Sequence, residues 1–222
     1  MELLVQLVIA LLTAVATLAA AYFGAKFAFD FQNRKNEENE VKGTVKAANM
    51  AIFALMRSHH ELTAIKKQYI EPYVNDEDRH FSIPPSSSPI PHLDLSFNDL
   101  SFLLSSKDPN LLNELALTQS EINATIDVVN ARSTFHMTEF QPLLEIHHIR
   151  LSQASNVHEM EEIIGVRATH TLRSITDAMV HNVPVALEIL AKDADQLYRI
   201  TKSIYPSHGV VRMTFKRTET EA

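Results

Sequence analysis

The chain begins with a long apolar run. Residues 3–24 read LLVQLVIALLTAVATLAAAYFG, in which no side chain is charged and only Gln6, Thr13 and Thr17 are polar. At 1.5 Å per residue, a helix of this length measures about 33 Å, which matches the roughly 30 Å hydrocarbon core of a bilayer. The pattern predicts an N-terminal transmembrane helix.

A cleaved signal peptide is the alternative interpretation of this run. Signal peptides join a basic first region to a shorter apolar stretch. Here the only charged side chain ahead of the run is Glu2, although Ala19, Ala20 and Ala21 could mimic a cleavage site. The length of the run and the missing basic residues favour a retained anchor.

The positions of lysine and arginine predict the orientation of that anchor. Lys26, Arg34, Lys35 and Lys42 follow the apolar run, and none precedes it. By the positive-inside rule, we expect a single-pass protein of the cell inner membrane, with its N-terminus outside and its C-terminal domain in the cytoplasm. The lipid bilayer is then the first predicted partner.

One face of the predicted anchor consists of small residues. Ala16, Ala20, Gly24 and Ala28 recur every four residues, a spacing that lets two transmembrane helices approach closely. The alternative is that alanine is simply common in such helices. If the face packs, the expected partner is the same helix of another copy, so the stripe predicts a homo-oligomer.

Helical periodicity continues after the apolar run and then breaks. A heptad-like pattern in residues 41–69 predicts an amphipathic helix over residues 31–71, with a stripe wider than a two-stranded coiled-coil seam. Residues 72–92 contain five prolines and three consecutive serines, which predicts a linker loop. A polyproline II ligand in residues 85–91 stays open as an alternative.

A second helical region follows this loop. Residues 93–104 are dense in leucine and phenylalanine and predict a short buried helix. Asp108 before Pro109 predicts the start of a long helix that runs to about Gln141. The apolar face of that helix is predicted to carry Leu111, Leu115, Ile122, Ile126 and Val129.

The C-terminal third predicts one more short helix and one long one. Asn156 and Glu159 resemble a capping box, and Gly165 fits the end of that short helix. Apolar residues then step by three and four from Leu172 onward, with a kink expected at Pro184. The tail alternates weakly like a strand, but we expect it to be frayed.

These patterns together predict an all-α protein: an N-terminal transmembrane helix followed by a bundle of four or five helices, some of them long and coiled-coil-like. The predicted regions are the anchor (1–30), the amphipathic helix (31–71), the linker loop (72–92), the helical bundle (93–206) and the tail (207–222).

Composition supports helices and narrows the function. Four glycines and no tryptophan among 222 residues fit long helices better than turn-rich β structure. The absence of cysteine excludes disulfides and cysteine-ligated zinc. The formal charge of −7 counts against nucleic acid as a partner.

Candidate chemistry is limited to histidine. Among eleven histidines, His148 forms an ExxH pair with Glu145, the spacing that puts two metal ligands on one helix face. A di-iron bundle needs this motif twice, and the chain has it once. His170 and His181 lie eleven residues apart with Asp177 near the second, which indicates either a pH-sensitive pair or an ordinary surface contact.

Other catalytic motifs are missing from the sequence. The chain contains neither GxSxG nor the glycine-rich phosphate-binding patterns GxGxxG and GxxxxGK[ST]. It is therefore predicted not to be an enzyme and to carry no cofactor.

Three segments carry a resemblance to a known group. They are AYFGAKFAFDFQNR, ANMAIFALMRSHHELTAIKKQYI and DLSFNDLSFLLSSKDPNLLNELAL. The chain resembles uncharacterised bacterial single-pass inner-membrane proteins with a helical cytoplasmic domain. The resemblance implies a bacterial helical protein and carries no known activity or site residue.

The leading functional hypothesis is a membrane-anchored helical interaction or scaffold protein that self-associates and docks an unidentified protein partner. One alternative is a metal-binding or enzymatic bundle that uses buried histidine and glutamate. A third hypothesis is an oligomeric membrane effector, although its predicted span has no ionisable residue to line a path.

Overall fold

The described part of the chain is helical throughout its regular structure. A computed structural model describes residues 1–147 and 157–214, apart from the side chains of Leu3, Leu4, Val8, Leu11, Ala14, Val15 and Val157. Its α-helices are α1 (Glu2–Ile65), α2 (Arg79–Ser82), α3 (Leu111–Phe135), α4 (Gln141–Ile146), α5 (Val157–Ile164) and α6 (Val166–Ile204). The all-α prediction is confirmed for these residues.

The prediction of a transmembrane helix is wrong. Within residues 1–147 and 157–214, no helix combines the length and the apolar composition that a bilayer crossing requires. The predicted localisation in the inner membrane, with the N-terminus outside and the C-terminal domain cytoplasmic, is therefore wrong as well. Residues 3–24 begin a helix of 64 residues, and its next turns carry Lys26, Asp30 and Arg34.

The chain divides into two compact units, Met1–Lys46 and Ala47–Ala222. The first unit consists of the N-terminal turns of α1. The second contains the last turns of α1 and all other helices. The predicted boundary between residues 30 and 31 coincides with no break, because α1 continues unbroken to Ile65 and passes into a π-helical turn, Lys66–Ile70.

The second unit is built around one large apolar cluster. It joins residues 51–65 of α1 to α3, to α6 and to the chain between α2 and α3. Spacings of three and four residues put these side chains on the inner face of each helix, so the helices bury a continuous stripe. The fully buried members include Ile52, Leu55, Leu62, Leu111, Leu115, Ile122, Ile126, Val183, Leu190 and Leu197. Pro184 lies inside α6, and the helix continues past it as predicted.

A second, smaller apolar cluster lies where α2, α4, α5 and α6 meet. Its buried members are Phe81, Phe140, Leu144, Met160, Ile164 and Leu172. Phe140 belongs to a π-helical turn, His136–Phe140, that joins α3 to α4. Gly165 separates α5 from α6 at φ +87°, a conformation that side chains rarely adopt, which agrees with the helix end predicted there. The predicted cap at Asn156 lies outside the described residues.

Residues 83–95, here called the crossing segment, contain no helix and run along α3. Ile83, Ile90, Leu93 and Leu95 of this segment are buried in the large cluster. The predicted short helix at residues 93–104 is therefore wrong in its first part, and only a 3₁₀ turn, Ser101–Ser105, forms at its end. Sequence alone did not show that a proline-rich loop could contribute to the core.

Amide side chains of α3 hold the crossing segment by its backbone. Asn130 accepts from the Ile90 N–H at 2.9 Å and donates to its carbonyl at 2.9 Å. Asn123 does the same for Leu93, at 2.7 and 3.0 Å. Each side-chain amide thus pairs with a backbone N–H and a backbone carbonyl, as a neighbouring strand would. These contacts satisfy buried backbone groups of a segment that belongs to no sheet.

The start of α3 and the tail differ from their predictions. Asp108 does not cap α3, which begins at Leu111, because its carboxylate accepts from Gln196 of α6 at 3.0 Å. Residues 209–214, here called the C-terminal segment, are not frayed: they lie extended against the large cluster, with Val210, Val211 and Met213 in contact with it. The remainder of the predicted tail, residues 215–222, lies outside the described residues.

Candidate functional site

The predicted packing face lies on the exposed surface of the first unit. Ala16, Ala20, Gly24 and Ala28 are all exposed and follow one another along α1. A Cβ atom built on Gly24 would meet no atom within 4 Å. Whether this face packs against another helix stays a prediction.

Large apolar side chains surround the small-residue face. Their exposed fractions are high: 64% for Leu12, 71% for Leu18 and 72% for Phe27. Positions in this part of α1 with the same character are Val5, Leu7, Ile9, Tyr22, Phe23, Phe29 and Phe31. A stretch this apolar on every face is far from the pattern of a helix that faces water on one side.

Only one of the two predicted metal ligands lies among the described residues. Glu145 is exposed on α4, and His148 lies outside the described residues. Across residues 1–147 and 157–214, no group of three or more His, Asp or Glu side chains could hold a metal ion. The Glu145–His148 pair stays a prediction without support from its surroundings.

Asp177 pairs with α2, and this pairing was not predicted. Its Oδ1 accepts from Arg79 Nη2 at 2.9 Å and lies 3.0 Å from His80 Nε2. Burial favours the neutral acid, but the hydrogen bonds from Arg79 and His80 outweigh it and lower the pKa of Asp177. His181, which sequence spacing placed with Asp177, instead lines a surface groove.

Arg132 of α3 fastens the chain that follows α2. The side chain is 1% exposed, and its Nε donates to Thr176 Oγ1 of α6 at 3.0 Å. Its Nη1 donates to the Pro84 carbonyl at 3.1 Å, and its Nη2 donates to the carbonyls of Ile83 at 2.5 Å and His80 at 3.4 Å. Burial lowers the pKa of Arg132 to about 10, so the guanidinium is still charged at neutral pH.

His136 lies one turn after Arg132 and is equally buried. Its ring is 1% exposed, and neither nitrogen has a hydrogen-bond partner among the described residues. The ring packs edge-on against Phe140, with centroids 5.0 Å apart. Burial and the nearby charge of Arg132 lower the pKa of His136 to about 4, so the imidazole is neutral under ordinary conditions.

These contacts form one polar cluster, here defined as Arg79, His80, Arg132, His136, Thr176 and Asp177, and it positions residues 79–84. A general base must reach its substrate through an accessible nitrogen. Nδ1 of His80 and both nitrogens of His136 are buried without a partner. The arrangement therefore acts as a fastening of residues 79–84 to α3 and α6.

The cluster carried a signal that sequence reasoning missed. The apolar stripe of α3 was followed through Ile126 and Val129 and not beyond. The same steps of three and four lead next to Arg132, His136 and Phe140, all of them buried. A charged or polar residue at a core position of a helical stripe is unusual enough to mark a buried polar contact.

A groove of about 350 Å³ lies between α3 and α6 in the second unit. Its polar lining includes Glu121, Thr125, His181 and Asn182, and its apolar lining includes Val185 and Ile189. The volume is at the lower limit for a small-molecule site, and the lining contains no convergent set of charges. The groove supports no specific chemistry.

Comparisons of the chain with protein-family models, with curated proteins and with solved structures gave no match. No residue role is therefore transferred to this chain from another protein. The resemblance stated above stays a prediction.

Proposed function

We propose that this chain is a non-enzymatic interaction protein that self-associates through the N-terminal turns of α1. The second unit then presents its helical bundle as a platform for a protein partner. One observation carries the proposal: the N-terminal turns of α1 expose large apolar side chains on several faces, among them Leu12, Leu18 and Phe27.

The hydrophobic effect supplies the driving force. Apolar surface gains about 25 cal/mol for each Å² removed from water. A monomer in solution rarely exposes a contiguous apolar patch above a few hundred Å². Because the exposed side chains of α1 point in all directions, we expect more than two helices to assemble.

The small-residue stripe gives the assembly a preferred face. Ala16, Ala20, Gly24 and Ala28 leave room for a close approach between helix backbones, and Gly24 has open space beside it. Larger neighbours, such as Phe23 and Phe27, can then pack against the facing helix. Their burial would add to the closer contact at the small residues.

The second unit supports a platform role through its rigidity. Its long helices share one buried core, and the crossing segment is fixed to α3 by backbone contacts. The formal charge of −7 favours a protein partner over nucleic acid.

Sedimentation velocity of the full chain tests self-association. We expect the wild type to be oligomeric, and the double variant Leu18→Lys/Phe27→Lys to dissociate about tenfold more readily because each lysine has to be buried in the assembly. Asn33→Lys adds the same charge to a polar turn of α1 and is the matched control. A wild type that is monomeric at every concentration tested contradicts the proposal.

The contribution of the stripe is measured separately. Gly24→Leu and Ala20→Leu fill the space in which two helix backbones could approach each other closely. Ala21→Leu adds the same side chain outside the small-residue stripe. Weaker assembly for the first two variants alone assigns the stripe to the interface. Equal assembly of all three removes the stripe from the proposed interface.

A further inference from the structure

The C-terminal segment is held by its backbone, as the crossing segment is. Asn49, in the part of α1 that belongs to the second unit, donates from Nδ2 to the Gly209 carbonyl at 3.0 Å. Its Oδ1 accepts from the Val211 N–H at 2.9 Å. Contacts to backbone atoms give affinity that does not depend on the sequence of the bound segment.

Side chains of α6 add a preference for sequence. Val211 and Met213 are half-buried against the large apolar cluster, while Arg212 between them points outward. The Arg212 guanidinium lies 5.4 Å from the centre of the Tyr198 ring and 3.9 Å from Asp195 Oδ1. The surface that holds the C-terminal segment therefore fits an extended peptide in which a basic residue lies between two apolar ones.

A short connection joins the C-terminal segment to α6. Only residues 205–208 separate the end of α6 from Gly209, and Lys202 Nζ donates to the His208 carbonyl at 2.9 Å. The crossing segment, in contrast, is buried more deeply. A half-exposed segment can leave its binding surface without unfolding the helices beneath it.

We propose that the groove formed by Asn49, Asp195, Tyr198 and Lys202 is a docking site for an extended apolar–basic–apolar peptide, occupied in the assembled protein by the C-terminal segment of a second copy. An identical segment makes identical contacts in an identical groove, so exchange conserves them all. Copies already joined through α1 raise the local concentration of each other's segments. In this respect the inference rests on the proposed function.

A peptide-binding experiment on the full chain tests the docking site. The double variant Val211→Asp/Met213→Asp displaces the resident segment, because two carboxylates cannot be buried against the apolar cluster. The probe is a fluorescent peptide with the sequence of residues 207–214, followed by anisotropy. We expect it to bind this variant about tenfold more tightly than wild type, whose own segment competes for the groove.

Two matched controls identify the groove. Adding Asn49→Leu to the double variant should weaken peptide binding about tenfold, and so should replacing the arginine of the peptide by glutamate. Circular dichroism checks that the helices of each variant stay folded. Equal binding to wild type and to the double variant, or no binding to a folded double variant, overturns the docking site.

Exchange between copies is tested with two complementary full-length chains. One carries Val211→Asp/Met213→Asp and so offers an empty groove; the other carries Asn49→Leu and so offers a free segment. Both also carry Leu18→Lys/Phe27→Lys, which weakens assembly through α1. Tighter pairing of the unlike chains than of like chains supports exchange, and equal pairing overturns it, whatever the result for self-association through α1.

Hydrogen exchange of the wild type provides a measurement that needs no variant. The Val211 amide should exchange by local opening, well before the Ile90 amide of the crossing segment. Equal protection of the two amides means that the C-terminal segment leaves its seat only when the whole unit unfolds, which overturns the proposal.

Discussion

The crossing segment and the C-terminal segment both lie outside the helices and are both held by side-chain amides of helices, but they differ in how deeply their apolar side chains are buried. Beside Asn123 and Asn130, apolar side chains such as Leu93 are only 2% exposed. Beside Asn49, the side chains of the C-terminal segment remain half-exposed. Amide contacts decide where a segment lies, whereas burial decides how strongly it is held. Four predictions test this distinction, from the largest expected effect to the smallest.

Substitution of Arg132 should detach Ile83 and Pro84, the start of the crossing segment, from α3. Arg132→Met leaves the carbonyls of Ile83 and Pro84 and the hydroxyl of Thr176 without their donor. Removal of a costly buried charge offsets part of that loss, so we expect the free energy of unfolding to fall by about 3 kcal/mol. Urea denaturation followed by circular dichroism measures the change.

Arg57→Met is the matched control for Arg132. Arg57 is 61% exposed and pairs with Glu61 one turn away. Exposed pairs of this kind contribute little, so we expect a change of no more than about 0.5 kcal/mol. Equal effects of the two substitutions would show that Arg132 does not fasten the crossing segment.

Acid should weaken the same region through His136. Its pKa is about 4 in the folded chain, against an ordinary value of 6.5. Above pH 6.5 the ring is neutral in both states. As the pH falls from 6.5 to 4, the unfolded chain binds a proton that the folded chain does not, so stability declines by up to about 3 kcal/mol.

Stability measured against pH for His136→Leu checks this effect. The variant should lose the part of the decline between pH 6.5 and 4 that His136 causes, while its stability at pH 8 changes less. His158→Leu replaces a histidine whose side chain is 84% exposed and should keep the wild-type profile. The interpretation fails if the two variants have the same profile.

The amide contacts to the crossing segment should have an intermediate effect. Asn130→Ala removes one donor and one acceptor from the Ile90 backbone, at a cost of about 2 kcal/mol. Asn113→Ala removes the same side chain from an exposed position of α3 and should be nearly neutral. Urea denaturation gives both values, and faster exchange of the Ile90 amide should accompany only the first.

The equivalent change at the C-terminal segment should have the smallest effect. Asn49→Ala removes the same pair of contacts, to Gly209 and Val211, from a site that water reaches. We expect a loss of no more than about 1 kcal/mol of unfolding free energy, together with faster exchange of the Val211 amide. A loss as large as that of Asn130→Ala would remove the contrast between the two segments.

Periodicity predicted the long helices because their contacts repeat within a few residues. The stripes that contain Leu115 and Ile122 in α3, and Val183 and Leu190 in α6, are buried as expected. The continuation of α6 past Pro184 was also predicted, since the apolar pattern continues beyond it. Local spacing is enough for such elements.

The crossing segment and the polar cluster could not be predicted in the same way. Asn130 and Ile90 are 40 residues apart, and Arg132 and Ile83 are 49 residues apart. No local pattern links an amide or a guanidinium to one particular backbone carbonyl at such a distance. Proline content argued correctly against a helix there, but it carried no information on burial.

The transmembrane prediction failed for a different reason. Residues 3–24 were judged by their length and their lack of charge, and in the structure they are the first turns of a helix that ends at Ile65. The exposed apolar side chains that prompted the prediction remain the basis for proposed self-association. The apolar character of these side chains was recognised correctly, but the membrane span inferred from it was wrong.

The π-helical turn His136–Phe140 interrupts the regular α-helical spacing between α3 and α4. At this turn the Gln141 N–H reaches back five residues to the His136 carbonyl, so one residue is accommodated beyond the α-helical count. Deleting a single residue within the turn would restore ordinary α-helical pitch, and the residues after it would keep their facing, because the turn already absorbs the extra residue. Leu144 would then still face Met160 and Ile164, so this turn is a point at which the chain can lose a residue and keep its smaller apolar cluster.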